Sequence, residues 1–495
     1  MTSRHPERPV VPGVQALRSA IDRRDWDGAR EVLRHASPGP VAEPLIVRGT
    51  AAAQLVDTIP TDADGRAEWG RAPDVADRLS ISTVECARLR LAGRTREAAD
   101  IAAQLEQVAM DALRYQPDAV ATMLPPLRLQ WAISCQLAYR TAISNTIFRR
   151  SCYGAEALGL DVVVRNCAGS LALNYAFAGE LSTAREWLVK RDRTPPGAEP
   201  FEQTIRASAL VARALIALEE LDLASAAQVL DELGELHDNE ELWAYASFAH
   251  IQYAVLSGSP ARGLSYLDRS GARWERRQTP SSAADTLLAC ATADLQCALG
   301  RGDAALTALS LHPDSHPLLT VVRARVALLS GDPAATLLGC ARATFHNTST
   351  PRIQLEALVM EAAAYAQIDR ADDAIASWRR ATTFADTTGM VRPFALLPQG
   401  YVDLLADIGA ALPKSWGRSR SMSPVLPDRV NVVKLTERER VVLAELTDDL
   451  TRFEIAAKLG VSPHTVKAQI NSLFRKLGVH SRDEAIRAAT ELKLL

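Results

Sequence analysis

Aromatic residues are scarce in this chain: Phe, Trp and Tyr together make up 5% of its 495 residues. Sheets lean on aromatic and β-branched side chains, so this scarcity, beside abundant alanine and leucine, favours close-packed helices. Long apolar runs are missing too. None reaches the ~18 charge-free residues that a membrane-spanning helix needs. Met1 to Gly13 are rich in proline and charge and lack the apolar segment of a signal peptide, so a flexible tail and a cytoplasmic location are expected. The seven cysteines (Cys86, Cys135, Cys152, Cys167, Cys290, Cys297, Cys340) are scattered, and none forms a C-x-x-C pair. Cys290 and Cys297 share a helical face and read as small core hydrophobes rather than a redox pair. There is no Gly-x-Ser-x-Gly elbow, no His-Glu-x-x-His and no dinucleotide fingerprint. No Gly-x-x-x-x-Gly-Lys-Ser/Thr phosphate loop occurs, nor any Gly-Lys dipeptide. The expectation is therefore a non-enzyme with no cofactor and no metal.

What is present is a long helical text. Apolar residues are 47% and charged residues 23%, enough to bury real cores over two to four domains. From about Val14 to Arg392 one pattern returns: an Ala/Leu-rich helix, a turn with Gly or Asp, then a second helix. It occurs at Asp25-Trp26-Asp27-Gly28, at Leu91-Ala92-Gly93 and at Tyr175-Ala176-Phe177-Ala178-Gly179. It occurs again at Glu220-Leu221-Asp222, Ser257-Gly258, Gly300-Arg301-Gly302-Asp303, Ser330-Gly331-Asp332 and Asp369-Arg370. Most turns follow one another at about 40 residues, with one shorter interval and one double-length gap. The pattern resembles degenerate tetratricopeptide-type repeats, helix hairpins stacked into a superhelix with apolar faces shared between neighbours.

Other signals have plainer readings. His312-Pro313-Asp314-Ser315-His316 suggests metal ligands, but two prolines make it an irregular loop and no neighbouring Cys or His completes a tetrahedral set. The acidic group Asp231, Glu232, Glu235, Asp238, Glu240 and Glu241 reads as a wetted inter-helix face, with a site for a basic partner as the alternative. Trp26, Trp187, Trp243, Trp274 and Trp378 read as locks between helices rather than a ligand pocket. Pro413 to Asn431, rich in Ser, Pro and Arg, reads as a linker whose Lys414, Arg418 and Arg420 are solvated or touch a phosphate backbone.

The last sixty or so residues are the most specific. Thr436 with Glu439 makes a capping box behind Leu435, and Val441, Val442 and Leu446 follow at helical spacing. Thr447 to Asp449 interrupt that face as a loop. Thr451 caps a second helix through Ile455, Ala456 and Leu459, which stops at Gly460. Ser462-Pro463 starts a third helix with Val466, Ile470, Leu473, Phe474 and Leu477 inward. His464, Thr465, Lys467, Ala468, Asn471 and Arg475 lie on the opposite face. From Ser462 to Arg482 there are four Lys/Arg and no Asp/Glu. Residues 433–495 hold eleven Lys/Arg against nine Asp/Glu in a chain of net charge −3. Positive charge is thus concentrated where phosphates would be met.

This segment resembles the LuxR-type DNA-binding domain from Leu435 to Leu495, including Lys476-Leu477-Gly478-Val479 and Arg482-Asp483-Glu484-Ala485. The array's end, near Gly389-Met390-Val391-Arg392-Pro393-Phe394, is similar to large maltose-activator-like regulators, although their nucleotide-binding domain is not evident here. The resemblance implies that the third helix reads the major groove and that the fourth, Ser481 to about Leu492, forms a dimer contact. Lys467, Ala468 and Asn471 would face base edges. Thr465 and Arg475 would lie nearer the backbone, with Thr451, Arg452, Ser462 and His464 completing the DNA face. Gln469 departs from the histidine common in the family, and Arg452-Phe453 from an Asn-Lys pair.

The expected architecture is all-α: a tail (1–13), a repeat domain (14–412), a linker (413–431) and a four-helix LuxR-type domain (432–495). The expected function is that of a transcription regulator, an activator, binding promoter DNA as a homodimer. A small-molecule or protein effector would act on the array, and RNA polymerase would be a further partner. The competing reading is an interaction scaffold whose repeats bind a regulatory partner and whose DNA-binding domain is a tether.

Overall fold

A computed structural model describes residues 75–491 apart from 198, 235–240, 275–282, 311–315, 419–424, 433–434 and 449. The tail, the turn expected near Gly28, Trp26, Glu235, Asp238, Glu240, His312 to Ser315 and Arg420 lie outside the described residues, as do the side chains of Trp274 and Arg418.

Helices come in consecutive pairs joined by turns of two or three residues. They are α1 (Val75–Leu91) with α2 (Thr95–Tyr115), α3 (Leu124–Leu137) with α4 (Thr141–Ala157), and α5 (Asp161–Ala178) with α6 (Leu181–Arg193). Then come α7 (Glu199–Glu219) with α8 (Leu223–Leu233), α9 (Trp243–Leu256) with α10 (Pro260–Trp274), and α11 (Ala283–Ala298) with α12 (Gly302–Ser310). The last pairs are α13 (Pro317–Leu329) with α14 (Pro333–Phe345) and α15 (Pro351–Gln367) with α16 (Ala371–Thr388). The array ends on α17 (Gln399–Asp407) and a 3₁₀ turn at Lys414–Arg418. The fold is therefore a helical-hairpin repeat, as the spacing predicts.

One local device makes every tight turn. A residue with positive φ follows the first helix, and the next N–H reaches back five residues to an orphan carbonyl, as Arg94 does to Leu89 and Asp332 to Ala327. Glycine fills that place at 93, 179, 258, 300 and 331, whereas Tyr139, Leu221 and Asp369 fill the others at φ near 58°. The double-length gap in the sequence pattern is thus no gap. A hairpin turn lies inside it at Tyr139, hidden because a tyrosine holds the left-handed position. That conformation costs about 1–2 kcal/mol for an L-residue. The Tyr139 ring lies 6.1 Å from that of Phe177, tertiary packing that a glycine could not supply.

The described residues divide into two compact units, one within 75–253, 266–288 and 388–390, the other within 254–265, 289–387 and 391–491. In the first, small residues let helices approach closely: a Cβ on Gly169 of α5 would sit 2.6 Å from the Ser208 hydroxyl of α7. Buried polar pairs tie the first helices of successive hairpins. The Arg90 guanidinium donates to the Gln130 carbonyl (2.7 Å) and the Ser134 hydroxyl (3.0 Å), and the Gln136 amide donates to Asn174 (2.7 Å). Arg90 also pairs with Glu241 at 2.7 Å. Glu241 is therefore not part of a merely wetted acidic face. Asp231 and Glu232 are exposed, as expected.

The second unit carries the same device with full charges. Asp294 on α11, Arg325 on α13 and Glu356 on α15, one per hairpin, and then Arg392 beyond α16 form an unbroken buried ion chain. Asp294, Arg325 and Glu356 are each 4% exposed or less. All seven cysteines are buried and free, consistent with structural thiols, and burial pushes the Cys86 thiol up to about 12. Trp243 and Trp378 are buried, and Trp378 Nε1 donates to the Ala411 carbonyl at 2.7 Å while its ring meets Phe394 edge-on. No helix among the described residues is long and apolar enough to cross a membrane. His316 caps α13, its Nδ1 accepting the Leu318 N–H at 3.2 Å, and no group of three metal-ligating side chains occurs among the described residues.

Candidate nucleic-acid interface

Four helices close the chain: α18 (Glu437–Thr447), α19 (Arg452–Leu459), α20 (Pro463–Leu477) and α21 (Arg482–Glu491). Their start and stop signals are those of the sequence. Thr436 with Glu439 and Thr451 with Glu454 form complete capping boxes, and Ser462 caps α20 ahead of Pro463. Gly460 and Gly478 take left-handed φ of 63° and 65° and end α19 and α20. The loop is one residue shorter than expected, because Thr447 belongs to the last turn of α18. The domain has its own core of Leu435, Val442, Leu443, Leu446, Ile455, Ala456, Val466, Ile470, Leu473 and Ala489, with Phe474 and Leu477 partly buried against it.

Burying Val466, Ile470 and Leu473 fixes which side of α20 meets solvent. His464, Lys467, Ala468, Asn471 and Arg475 are all exposed. Thr465 is half-buried, its hydroxyl 2.8 Å from that of Ser462, and Gln469 is half-buried as well. Ser462, Thr451 and Arg452 are exposed beside this face on the turn and the N-terminus of α19. The structure thus brings the nine residues named from the sequence onto the two helices of the motif and the turns that start them. Phe453, at the departure from the family pattern, is 73% exposed.

The four cations between Ser462 and Arg482 do different things. Lys476 Nζ lies 2.6 Å from the Glu439 carboxylate. The Arg482 guanidinium donates to the Leu446 carbonyl (2.5 and 2.9 Å), at the open end of α18, and to the Leu450 carbonyl (2.9 Å) ahead of α19. Lys467 and Arg475 are not ion-paired among the described residues. Two of these four cations are therefore used inside the domain, and the other two stand exposed.

Glu439 is the hub that sequence reasoning placed only in a capping box. Beyond the Thr436 N–H (2.7 Å), its carboxylate accepts from the Ser472 hydroxyl (2.8 Å) and Lys476 (2.6 Å), both on α20. Burial raises the Glu439 carboxyl, but hydrogen bonds from Lys476, the Thr436 N–H, Ser472 and the Thr436 hydroxyl outweigh it and hold it down to about 2. Because the folded value lies below the unfolded one, this stabilisation is complete above about pH 4.5 and lost as pH falls toward 2. Glu439→Gln is expected to cost about 1–3 kcal/mol at pH 7 and to flatten the acid limb of the stability curve. A urea titration at pH 7 and pH 3 reads both effects. An equal loss at the two pH values would contradict the ionised hub.

Residues 433–489 match the family model of bacterial regulatory proteins, luxR family. Over 65 residues the chain is 42% identical to the transcriptional regulatory protein YdfI of Bacillus subtilis, covering 13% of this chain and 30% of that one. It is 40% identical over 72 residues to the HTH-type transcriptional activator RamA of Corynebacterium glutamicum (14% and 26%). Against the HTH-type transcriptional regulator MalT of Serratia proteamaculans it is 36% identical over 69 residues (14% and 8%). The matches thus span under a third of each relative. A solved chain of the APC/C hetero-tetramer Cut9–Hcn1 aligns over 80% of this chain and 89% of its own at a TM-score of 0.33 and 12% identity, too low to bear on the fold. The C-terminal domain is a LuxR-type helix-turn-helix domain.

Proposed function

We propose, from the LuxR-type domain that ends this chain, that the protein is a sequence-specific transcription activator acting in the cytoplasm. The observation that carries this reading is the division of α20. Val466, Ile470 and Leu473 are buried, while Lys467, Ala468, Asn471 and Arg475 stand together in solvent. A helix so anchored and so exposed suits the major groove, where Lys467 and Asn471 offer donors and acceptors to base edges and Ala468 offers apolar contact. Arg475, one turn further on, and Thr451, Arg452, Ser462, His464 and Thr465, nearer the helix starts, serve the phosphates. Two copies pair through α21 on neighbouring half-sites, and the hairpin array receives a small-molecule or protein signal that sets how the DNA-binding domains are presented, with RNA polymerase as the downstream partner.

The two uses of charge supply the test. Arg475→Ala removes a phosphate contact, so the slope of log K against log[salt] becomes shallower by about 0.9 per bound domain. Lys476→Ala lowers domain stability through Glu439 and leaves that slope unchanged. Fluorescence anisotropy of the full-length protein on duplex DNA from 50 to about 300 mM salt measures both. Identical slopes for wild type and Arg475→Ala would remove α20 from the interface.

A further inference from the structure

The segment that joins the array to the DNA-binding domain is not a solvated linker along its last part. Leu426 and Val430 are buried, at 3% and 4% exposure. Asp428 accepts the Gly400 N–H at 2.9 Å, at the start of α17. Two adjacent residues then bond to two different hairpins. The Val430 N–H donates to the Leu329 carbonyl (3.0 Å) at the end of α13, and the Asn431 N–H donates to the Gly300 carbonyl (3.2 Å) in the α11–α12 turn. Asn431 also forms a parallel bridge with Arg301. Helix ends leave carbonyls without intrahelical partners, and this strap satisfies one on each of two neighbouring hairpins.

The fit depends on a missing side chain. A Cβ on Gly302 would stand 2.5 Å from Val432 Cγ2, 2.6 Å from the Asn431 carbonyl oxygen and 2.9 Å from Val430 Cγ2. The strap therefore lies on the turn as closely as a glycine permits. Leu435, three residues beyond Val432, is already in the core of the DNA-binding domain.

We propose that residues 426–432 are a seated strap that couples the array to DNA binding. Seated, two residues separate the strap from Leu435 of the domain, three chain steps with a reach of at most about 10 Å. Unseated, the domain hangs on the roughly 16 residues after the 3₁₀ turn at Lys414–Arg418, with a root-mean-square span of about 20–24 Å. In a repeat protein the interfaces between neighbours are where the chain yields. The Val430 and Asn431 amides hold two such neighbours at once. A signal that shifts α11–α12 against α13–α14 breaks one of the two bonds and releases the strap. The positions that the DNA-binding domain can occupy, and with them its effective concentration at a paired site, then change by mass action rather than by any change in α20.

This inference rests on the DNA-binding reading of the C-terminal domain, and the experiment separates the two. Full-length wild type, Gly302→Val and Val430→Asp are compared by hydrogen exchange at Val430 and Asn431, and by affinity for the duplex that wild type enriches from a random library. The expected result is exchange at least tenfold faster in both variants and an affinity shift of at least fivefold, with exchange protection of α20 unchanged. Faster exchange with unaltered affinity overturns the coupling. So does exchange in wild type as fast as in an open chain, or exchange unaltered in both variants. Failure of wild type to enrich any duplex overturns instead the DNA-binding reading on which the inference stands.

Discussion

Arg325→Met is expected to cost about 3–5 kcal/mol of unfolding free energy, the largest stability effect of any single substitution proposed here. The arginine stands between the carboxylates of Asp294 and Glu356, and Arg392 holds the far side of Glu356. Burial depresses the Arg325 guanidinium, but Asp294 and Glu356 outweigh that and raise it, and Arg392, Arg325 and Arg352 hold Glu356 low against its own burial. A methionine fills the volume and leaves the Asp294 and Glu356 carboxylates buried without the cation that stood between them. Adding Asp294→Asn removes one of those charges, so the double variant should recover part of the loss, a coupling that a double-mutant cycle in urea measures. Additive losses would mean that the chain of charges is electrostatically inert.

What could be read from sequence was local. Thr436, Thr451, Ser462-Pro463, Gly460 and Gly478 act through bonds within a few residues, so composition and spacing suffice to place the four terminal helices. The hairpin turns were legible where glycine holds the left-handed place or an aspartate marks the turn, as at Leu221-Asp222 and Asp369, and illegible at Tyr139, which has neither and packs against Phe177 instead. The partners of Glu439 on α20 lie 33 and 37 residues away, and those of Asp294 and Glu356 on Arg325 lie 31 away, beyond any periodicity argument. For the same reason the four cations after Ser462 looked alike, although two are held by Glu439 and by the end of α18. The strap was unreadable because its two anchoring bonds use backbone amides, which any residue except proline offers.

The second large effect concerns recognition. Lys467→Ala combined with Asn471→Ala is expected to weaken binding to the preferred duplex by about 100-fold or more, since each base-edge contact contributes about 1–3 kcal/mol. Binding to unrelated duplex at low salt should fall much less, because phosphate contacts supply that part of the affinity. Neither side chain supports the domain core. The thermal midpoint should therefore stay within a degree or two, about the shift that a few tenths of a kcal/mol produces. Competition between preferred and unrelated duplex separates the two contributions.

Sequence-specific DNA binding is tested by selection of bound duplexes from a random library by the full-length protein, at two salt concentrations. Enrichment of one motif is expected, read as paired half-sites about one helical turn apart, and its loss with Lys467→Ala and Asn471→Ala together. A well-folded protein that enriches no motif at either salt concentration would contradict it, and would leave the C-terminal domain as a tether for a scaffold of hairpin repeats.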